Sequence, residues 1–180
     1  GLKTGPIAEN TIDANEQHYE VPADYFKAVL GPKLKYSCCW FDDESVSLGE
    51  AEIKMMESYL ERAKIEDGQM ILDLGCGWGS LSLFLAERFP NSAIYSVSNS
   101  NDQIEHIKNI AKEKNLENLY PEVQDVNSLT LNQQFDRVVS IEMFEHMRNY
   151  EALLQKVKHL LKPDGLLFIH IFCHKETAYL

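Results

Sequence analysis

The stretch Ile71-Leu72-Asp73-Leu74-Gly75-Cys76-Gly77-Trp78-Gly79-Ser80 constrains this fold more than any other part of the chain. An apolar strand carries an acidic residue near its end, three alternating glycines follow, and a helix begins at Ser80. Glycine has no Cβ, so the backbone turns tightly and a ligand can approach its amides. The spacing is G-x-G-x-G, not the G-x-G-x-x-G of dinucleotide-binding turns, and it forms no pyrophosphate cradle. A glycine-rich turn without a ligand is the competing reading. The acid upstream and the alternating elements downstream weigh against it.

Short apolar runs alternate with amphipathic stretches after Gly68. Met70–Leu74, Ala93–Val97, Tyr120–Val123, Arg137–Ile141 and Leu166–Ile171 read as strands; Ser80–Phe89, Gln103–Lys114 and Tyr150–Leu161 read as helices. Such alternation builds a parallel sheet with right-handed crossovers, an α/β, doubly wound architecture. The turn signal Asp67-Gly68 divides this part, residues 67–180, from residues 1–66, which are helical in pattern. There Pro22 suits a first helical turn, Asp24 to Leu30 forms a helix stopped by Gly31-Pro32, and Leu48 to Lys64 forms a second. Ile53, Met56, Tyr59, Leu60 and Ala63 mark the apolar face of the second helix.

The 180 residues are 44% hydrophobic, enough for a core and too many for a disordered chain. Seventeen basic against 28 acidic residues leave a net charge of −11, which argues against general nucleic-acid binding. No run approaches the ~18–20 apolar residues of a membrane span, so stable membrane insertion is not expected. The start, GLKTGPIAENTIDANEQ, has no signal-type apolar core; it also lacks an initiator methionine, as in a processed or tagged chain. Cys38, Cys39, Cys76 and Cys173 lack CxxC spacing, so a reduced, cytoplasmic protein is the simplest expectation. No second Cys/His pair has structural zinc spacing, and no metal is expected. The oligomeric state is open, with a dimer compatible.

The segment "DLGCGWGS" resembles the cofactor loop of class I S-adenosylmethionine-dependent methyltransferases. With "NEQHYEVP", "LKYSCCWF", "LDLGCGWGSLSLFLAERFP", "SNSNDQ" and "SIEMFEHMRNYE", the chain resembles the coclaurine N-methyltransferase family and the related cyclopropane fatty acid synthases. The resemblance runs from about Asn15 to Lys175. It implies a Rossmann-like, mainly parallel sheet under an N-terminal helical cap, with S-adenosyl-L-methionine as cofactor. Parallel α/β sheets bind ligands at the C-terminal strand ends, here Gly75–Gly79, Ser98–Asn99, Asp125–Val126 and Ile141–Glu142. Asp73 belongs to this set, and Gly75 and Gly77 are expected at the methionine part of the cofactor. Ser98 and Asn99 stand where the superfamily offers the ribose an acid, and Gln103 follows one turn later. Asp125 can accept from the adenine amino group and Val126 can donate its backbone NH; a turn or cap role for Asp125 is the alternative. Tyr36 and Ser37 close over the methionine end, or Tyr36 anchors its segment.

Methyl transfer from a sulfonium is an in-line displacement, and alignment alone can reach effective molarities of about 10⁵ M or more. An amine acceptor must also lose a proton, and its developing cation favours carboxylates. Glu142, Glu145 and His146 share a face if they form a helical turn. Glu145 as a helix cap and His146 as a packed histidine are the competing readings. In the N-methyltransferases resembled, Glu142 and His146 match residues associated with amine binding and proton removal. In the synthases, which methylate an alkene and use a bound bicarbonate as base, Cys38, Glu145 and His170 match part of the ion site. Glu142 replaces a small glycine there, and its carboxylate would repel the anion. The expected activity is methyl transfer to the nitrogen of a small-molecule amine; cyclopropanation of an unsaturated lipid chain and a non-catalytic cofactor-binding module are the alternatives. Trp40, Phe41, Met143 and Phe144 are candidates for a pocket holding an aralkyl or alkaloid-like amine. His18, His106 and His159 are expected to be solvated, Cys38 and Cys39 to be small buried hydrophobes, and His170 to face the site or solvent. The family resembled is much longer, so the chain is expected to be a fragment lacking the C-terminal part of the fold.

Overall fold

Strand β1 (Met70–Leu74) follows the Asp67-Gly68 turn, and its alternation decides the layering. Ile71 packs into a core on one face of the sheet, while Leu72 and Leu74 pack into a core on the other. Each fully buried aliphatic side chain contributes roughly 1.5–3 kcal/mol. The computed structural model of the chain describes residues 4–9 and 23–176; Pro22, His18 and the "NEQHYEVP" segment lie outside them.

β1 pairs in parallel with β2 (Ala93–Ser98), and β2 with β3 (Leu119–Val123). The chain then crosses back, so that β4 (Phe135–Ile141) pairs with the other side of β1 and β5 (Leu161–His170) with β4. The order β3-β2-β1-β4-β5 reverses beside β1, and the crevice at that reversal is where such sheets bind ligands. Pro121 lies in β3, on the sheet edge, where its missing N–H is tolerated.

Helices α2 (Leu48–Ala63), α3 (Ser80–Arg88) and α4 (Asn101–Glu113) cover the Ile71 face, and α5 (Tyr150–Leu160) covers the other. A short helix, α1 (Ala23–Val29), docks through Phe26, whose ring meets Tyr36 and Trp78 at 5.3 and 5.0 Å. α2 opens with a capping box in which Ser47 and Glu50 exchange hydrogen bonds. Its last carbonyls, on Ala63 and Lys64, accept from Arg137 Nε at 2.8 and 2.9 Å. The buried stripe of α2 is rotated from its predicted position. Ile53 is exposed, and Glu52 is fully buried because it accepts from the backbone N–H groups of Lys33 and Lys35.

β5 also departs from expectation. It starts at Leu161, straight out of α5, not at Leu166: Phe135 pairs with Leu161 while Arg137 pairs with Leu166, leaving residues 162–165 as a bulge. Pro163 and Gly165 hide this start by breaking the strand pattern. Lys162 nonetheless ties the bulge to Asp136 at 2.7 Å. Residues 4–9 lie across the opposite end of the crevice, with Asn127 Oδ1 accepting from Ile7 N and Ala8 N, and Asn149 Nδ2 donating to Gly5 O. Among the described residues no helix is long and apolar enough to cross a membrane.

Candidate active site

The turn after β1 is held by β2: Gly75 N and Cys76 N both donate to Val97 O, at 2.9 and 3.0 Å. Gly75 has φ +85°, and a Cβ there would lie 2.8 Å from Met143 Cγ. At Gly77, φ +53°, an added Cβ would meet nothing within 4 Å among the described residues, so its bare backbone faces open space there. Asp73 sits beneath. Ser82 Oγ donates to its Oδ2 at 2.6 Å, and Ser96 Oγ donates to Ser82 Oγ at 2.7 Å. The three side chains join β1, α3 and β2. Burial outweighs the Ser82 hydrogen bond and pushes the Asp73 carboxyl up to about 6.

At the end of β2, Ser98 Oγ donates to Gln103 Oε1 at 2.6 Å. This orients the Gln103 amide so that its buried Nε2 is left without a partner among the described residues. Buried donors of this kind are seldom left unmatched. Asp125 makes the expected turn, with Oδ1 accepting from Asn127 N at 2.7 Å, and also lines the crevice with Val126 and Asn99. The two readings of Asp125 are therefore compatible.

The segment around Tyr36 reaches over the glycine turn. Its supports were not foreseen. Lys35 is 5% exposed, and its ammonium donates to Ser37 Oγ, to Cys38 O at 2.7 Å and to Tyr59 OH at 3.2 Å. Burial holds its pKa below the usual lysine range, while the acidic groups nearby oppose that shift. Tyr59 OH meets His170 Nδ1 at 2.8 Å, and its phenol is pushed up by burial. The one sequence signal was an acid, Glu52, four residues before Met56 on the buried stripe of α2.

Glu142, Glu145 and His146 do converge, but not as one helical turn. Glu142 follows β4 in a left-handed conformation, φ +51°, which costs a non-glycine residue about 1–2 kcal/mol. Only Phe144–His146 form a 3₁₀ turn. The twist directs Glu142 Oε1 to Cys38 N at 3.0 Å, and Glu142 N donates to His170 O at 2.7 Å. Glu145 Oε1 accepts from Phe172 N at 2.8 Å, while Oε2 is buried without a partner among the described residues. Glu145 does not cap α5; Asn149 does, accepting from Ala152 N. His170 lies beside Cys38, its Nε2 3.7 Å from Sγ, and burial lowers its pKa.

Three expectations need correction: the aromatic pocket lining, the buried cysteines and a solvated His106. Phe144 is packed in the core, held by Tyr150 against α5, and Phe41 lies on the outer surface. Trp40 lies beneath Lys54 and Arg62 in cation–π contact. Cys38 is exposed and Cys39 half-buried, because the segment bends over the sheet instead of entering its core. His106 is half-buried against Trp78, with its pKa lowered by burial. His159 is exposed, as expected.

The crevice encloses about 660 Å³. Tyr36, Ser37, Asp73, Gly75, Gly77, Ser98, Asn99, Gln103, Asp125 and Val126 all line it, as do Glu142, Glu145 and His146. Cys38 and His170 stand just outside. Ordered parallel strands, a glycine turn after the first, and a cavity over the reversal define the fold of class I S-adenosylmethionine-dependent methyltransferases.

The model of the mycolic acid cyclopropane synthetase family matches residues 8–179, and the chain belongs to that family. It is 44% identical over 178 residues to (S)-coclaurine N-methyltransferase of Thalictrum flavum subsp. glaucum, covering 99% of this chain and 49% of that protein. To the cyclopropane-fatty-acyl-phospholipid synthase of Escherichia coli strain K12 it is 31% identical over 164 residues, 90% of this chain and 41% of that one. The crystal structure of coclaurine N-methyltransferase bound to N-methylheliamine and SAH matches with a TM-score of 0.95 and 42% identity, over 99% of this chain and 51% of that chain. The chain spans about half the length of the curated relatives it matches.

Proposed function

We propose that the chain binds S-adenosylmethionine in the crevice and serves methyl transfer to the nitrogen of a small-molecule, alkaloid-like amine. The residues fit the cofactor. Gln103 Nε2 needs an acceptor, such as a ribose hydroxyl. Gly77 leaves room for a ligand against the main chain, and Asp125 and Val126 offer an acceptor and a backbone donor for an adenine edge. Tyr36 and Ser37, from the 1–66 cap, cover the glycine end of the 67–180 cofactor domain. When bound, S-adenosylmethionine supplies a methyl group made electrophilic by its sulfonium.

The observation that carries the choice of acceptor is Glu145 Oε2, a buried carboxylate oxygen on the cavity wall that has no donor among the described residues. An ammonium or developing ammonium supplies both an N–H and a positive charge there; an alkene supplies neither. Glu145 and Glu142 hold the amine and take up its proton, with the exposed His146 on the same wall as the route to solvent. The relatives support this assignment: the N-methyltransferase is more similar than the lipid synthase. Glu142 also stands beside Cys38 and His170, where an anion used as base would meet its carboxylate. Four cysteines that remain free thiols support a cytoplasmic location.

An acceptor screen with methyl-labelled S-adenosylmethionine, over cyclic amines and unsaturated phospholipid vesicles, tests the assignment. Label on nitrogen alone supports it. Label in the lipid chains would transfer the assignment to cyclopropanation, and cofactor binding by calorimetry without any turnover would reduce the chain to a binding module.

A further inference from the structure

Cys38, Glu142 and His170 are far apart in sequence, and the fold gathers them. The thiol comes from the segment over the glycine turn, the carboxylate from the end of β4 and the imidazole from the end of β5. Their ligand atoms all lie within 4.8 Å of one another. We propose that these three side chains form a binding site for one thiophilic divalent cation, with Zn2+ as the type ion, beside the cofactor crevice.

The spacing carries the proposal. A tetrahedral ion with a bond of about 2.3 Å to sulfur and about 2.0–2.1 Å to nitrogen holds those atoms about 3.6 Å apart. Cys38 Sγ and His170 Nε2 are 3.7 Å apart. The histidine is also oriented from behind. Tyr59 OH lies 2.8 Å from Nδ1, so a ring carrying its proton on Nδ1 donates to the phenol oxygen and leaves the Nε2 lone pair for the ion. The backbone bond from Glu142 N to His170 O fixes the third ligand relative to the second. Sulfur and imidazole select a soft or borderline ion over Mg2+ or Ca2+.

Three protein ligands at a partly exposed site leave the fourth position to water. Zn2+ binding releases the thiol proton of Cys38 to solvent and forms the Zn–S bond, so the site carries thiolate and carboxylate against the ion's two charges. The Lys35 ammonium, hydrogen-bonded to Cys38 O, opposes the cation, and the Cys38 thiolate and Glu142 carboxylate offset it. The sequence spacing argues against a four-ligand structural zinc, and this is not one. Occupation draws the Glu142 carboxylate from Cys38 N and from the acceptor, so the ion acts as a reversible inhibitor; this consequence rests on the amine-methyltransferase reading.

The test is a Co2+ titration of the full chain, followed by thiolate-to-cobalt absorption in the near ultraviolet. One equivalent is expected to bind with that band, and Zn2+ to displace it. Cys38→Ser should abolish the band, whereas Cys39→Ser and Cys173→Ser should retain it. Tyr59→Phe, which keeps the ring but not the phenol oxygen, should weaken Zn2+ binding by about 10–100-fold. Circular dichroism of each variant separates ligand loss from misfolding. No band at one equivalent, or a band that survives Cys38→Ser in a folded protein, overturns the site. Stoichiometric Zn2+ binding that leaves methyl transfer untouched supports the site and counts against Glu142 as an acceptor residue.

Discussion

Asp73 combines near-complete burial with hydrogen bonds from Ser82 that do not offset it, so its proton is retained to about pH 6 in the folded chain and released near the ordinary 3.8 in the unfolded one. Between those values the native state binds more protons than the unfolded state, and stability falls as pH rises. The stabilisation is complete below the unfolded value and lost above about pH 6, an effect on the order of 3 kcal/mol. Asp73→Asn keeps an acceptor for Ser82 and removes the titration. Its urea midpoint should therefore lose that part of the decline from about pH 4 to about pH 6. Identical slopes for the two proteins would show that Asp73 ionises normally. Glu145 is a different case, with one oxygen engaged by Phe172 N and the other unmatched. Glu145→Gln should lower kcat with an amine acceptor by about 10²-fold or more while cofactor affinity measured by calorimetry holds. A parallel loss of both would make Glu145 a structural residue.

The glycine turn and α2 show what a local pattern reveals and what it hides. Strand, acid, turn and helix follow from apolar run length and absent side chains, and the structure keeps them within a residue of expectation. Gly77 is the direct probe of the turn. A Cβ there touches no atom of the described residues, so Gly77→Ala should cost stability only the left-handed penalty of about 1–2 kcal/mol. Cofactor affinity should fall further, because the methyl group occupies the open notch. Thermal unfolding compared with calorimetry on the same protein separates the two; unchanged cofactor affinity would place the ligand elsewhere. In α2 the pattern misled. Periodicity favoured Ile53 as inward, yet Glu52 is inward because two backbone N–H groups from the preceding loop converge on its carboxylate. No helical period contains that information.

At the scale of the molecule, the charge of −11 surrounds an acid-lined crevice, which should raise the local concentration of a cationic amine. The screening length shrinks from about 30 Å at 0.01 M to about 8 Å at 0.15 M salt. Across that range kcat/KM should fall for a protonated acceptor and stay flat for a neutral one; equal salt dependence would remove the electrostatic argument. The parallel strand–helix alternation and the ten candidate cofactor residues that line the crevice were legible because most of them sit at a strand end or a turn, where chain order and chemistry coincide. The Lys35 and Tyr59 contacts were not, since their partners lie up to 111 positions away, and the meeting of Cys38, Glu142 and His170 was implied only by the resemblance and by no local pattern. By itself, the sequence determined the alternation of strands and helices, the glycine notch and the identity of the acids after β4, all of which depend on neighbouring residues. Only the tertiary structure decided where those acids point. The left-handed twist at Glu142 and the unmatched oxygen of Glu145 arise from backbone groups delivered by distant segments, and burial makes such long-range matches decisive.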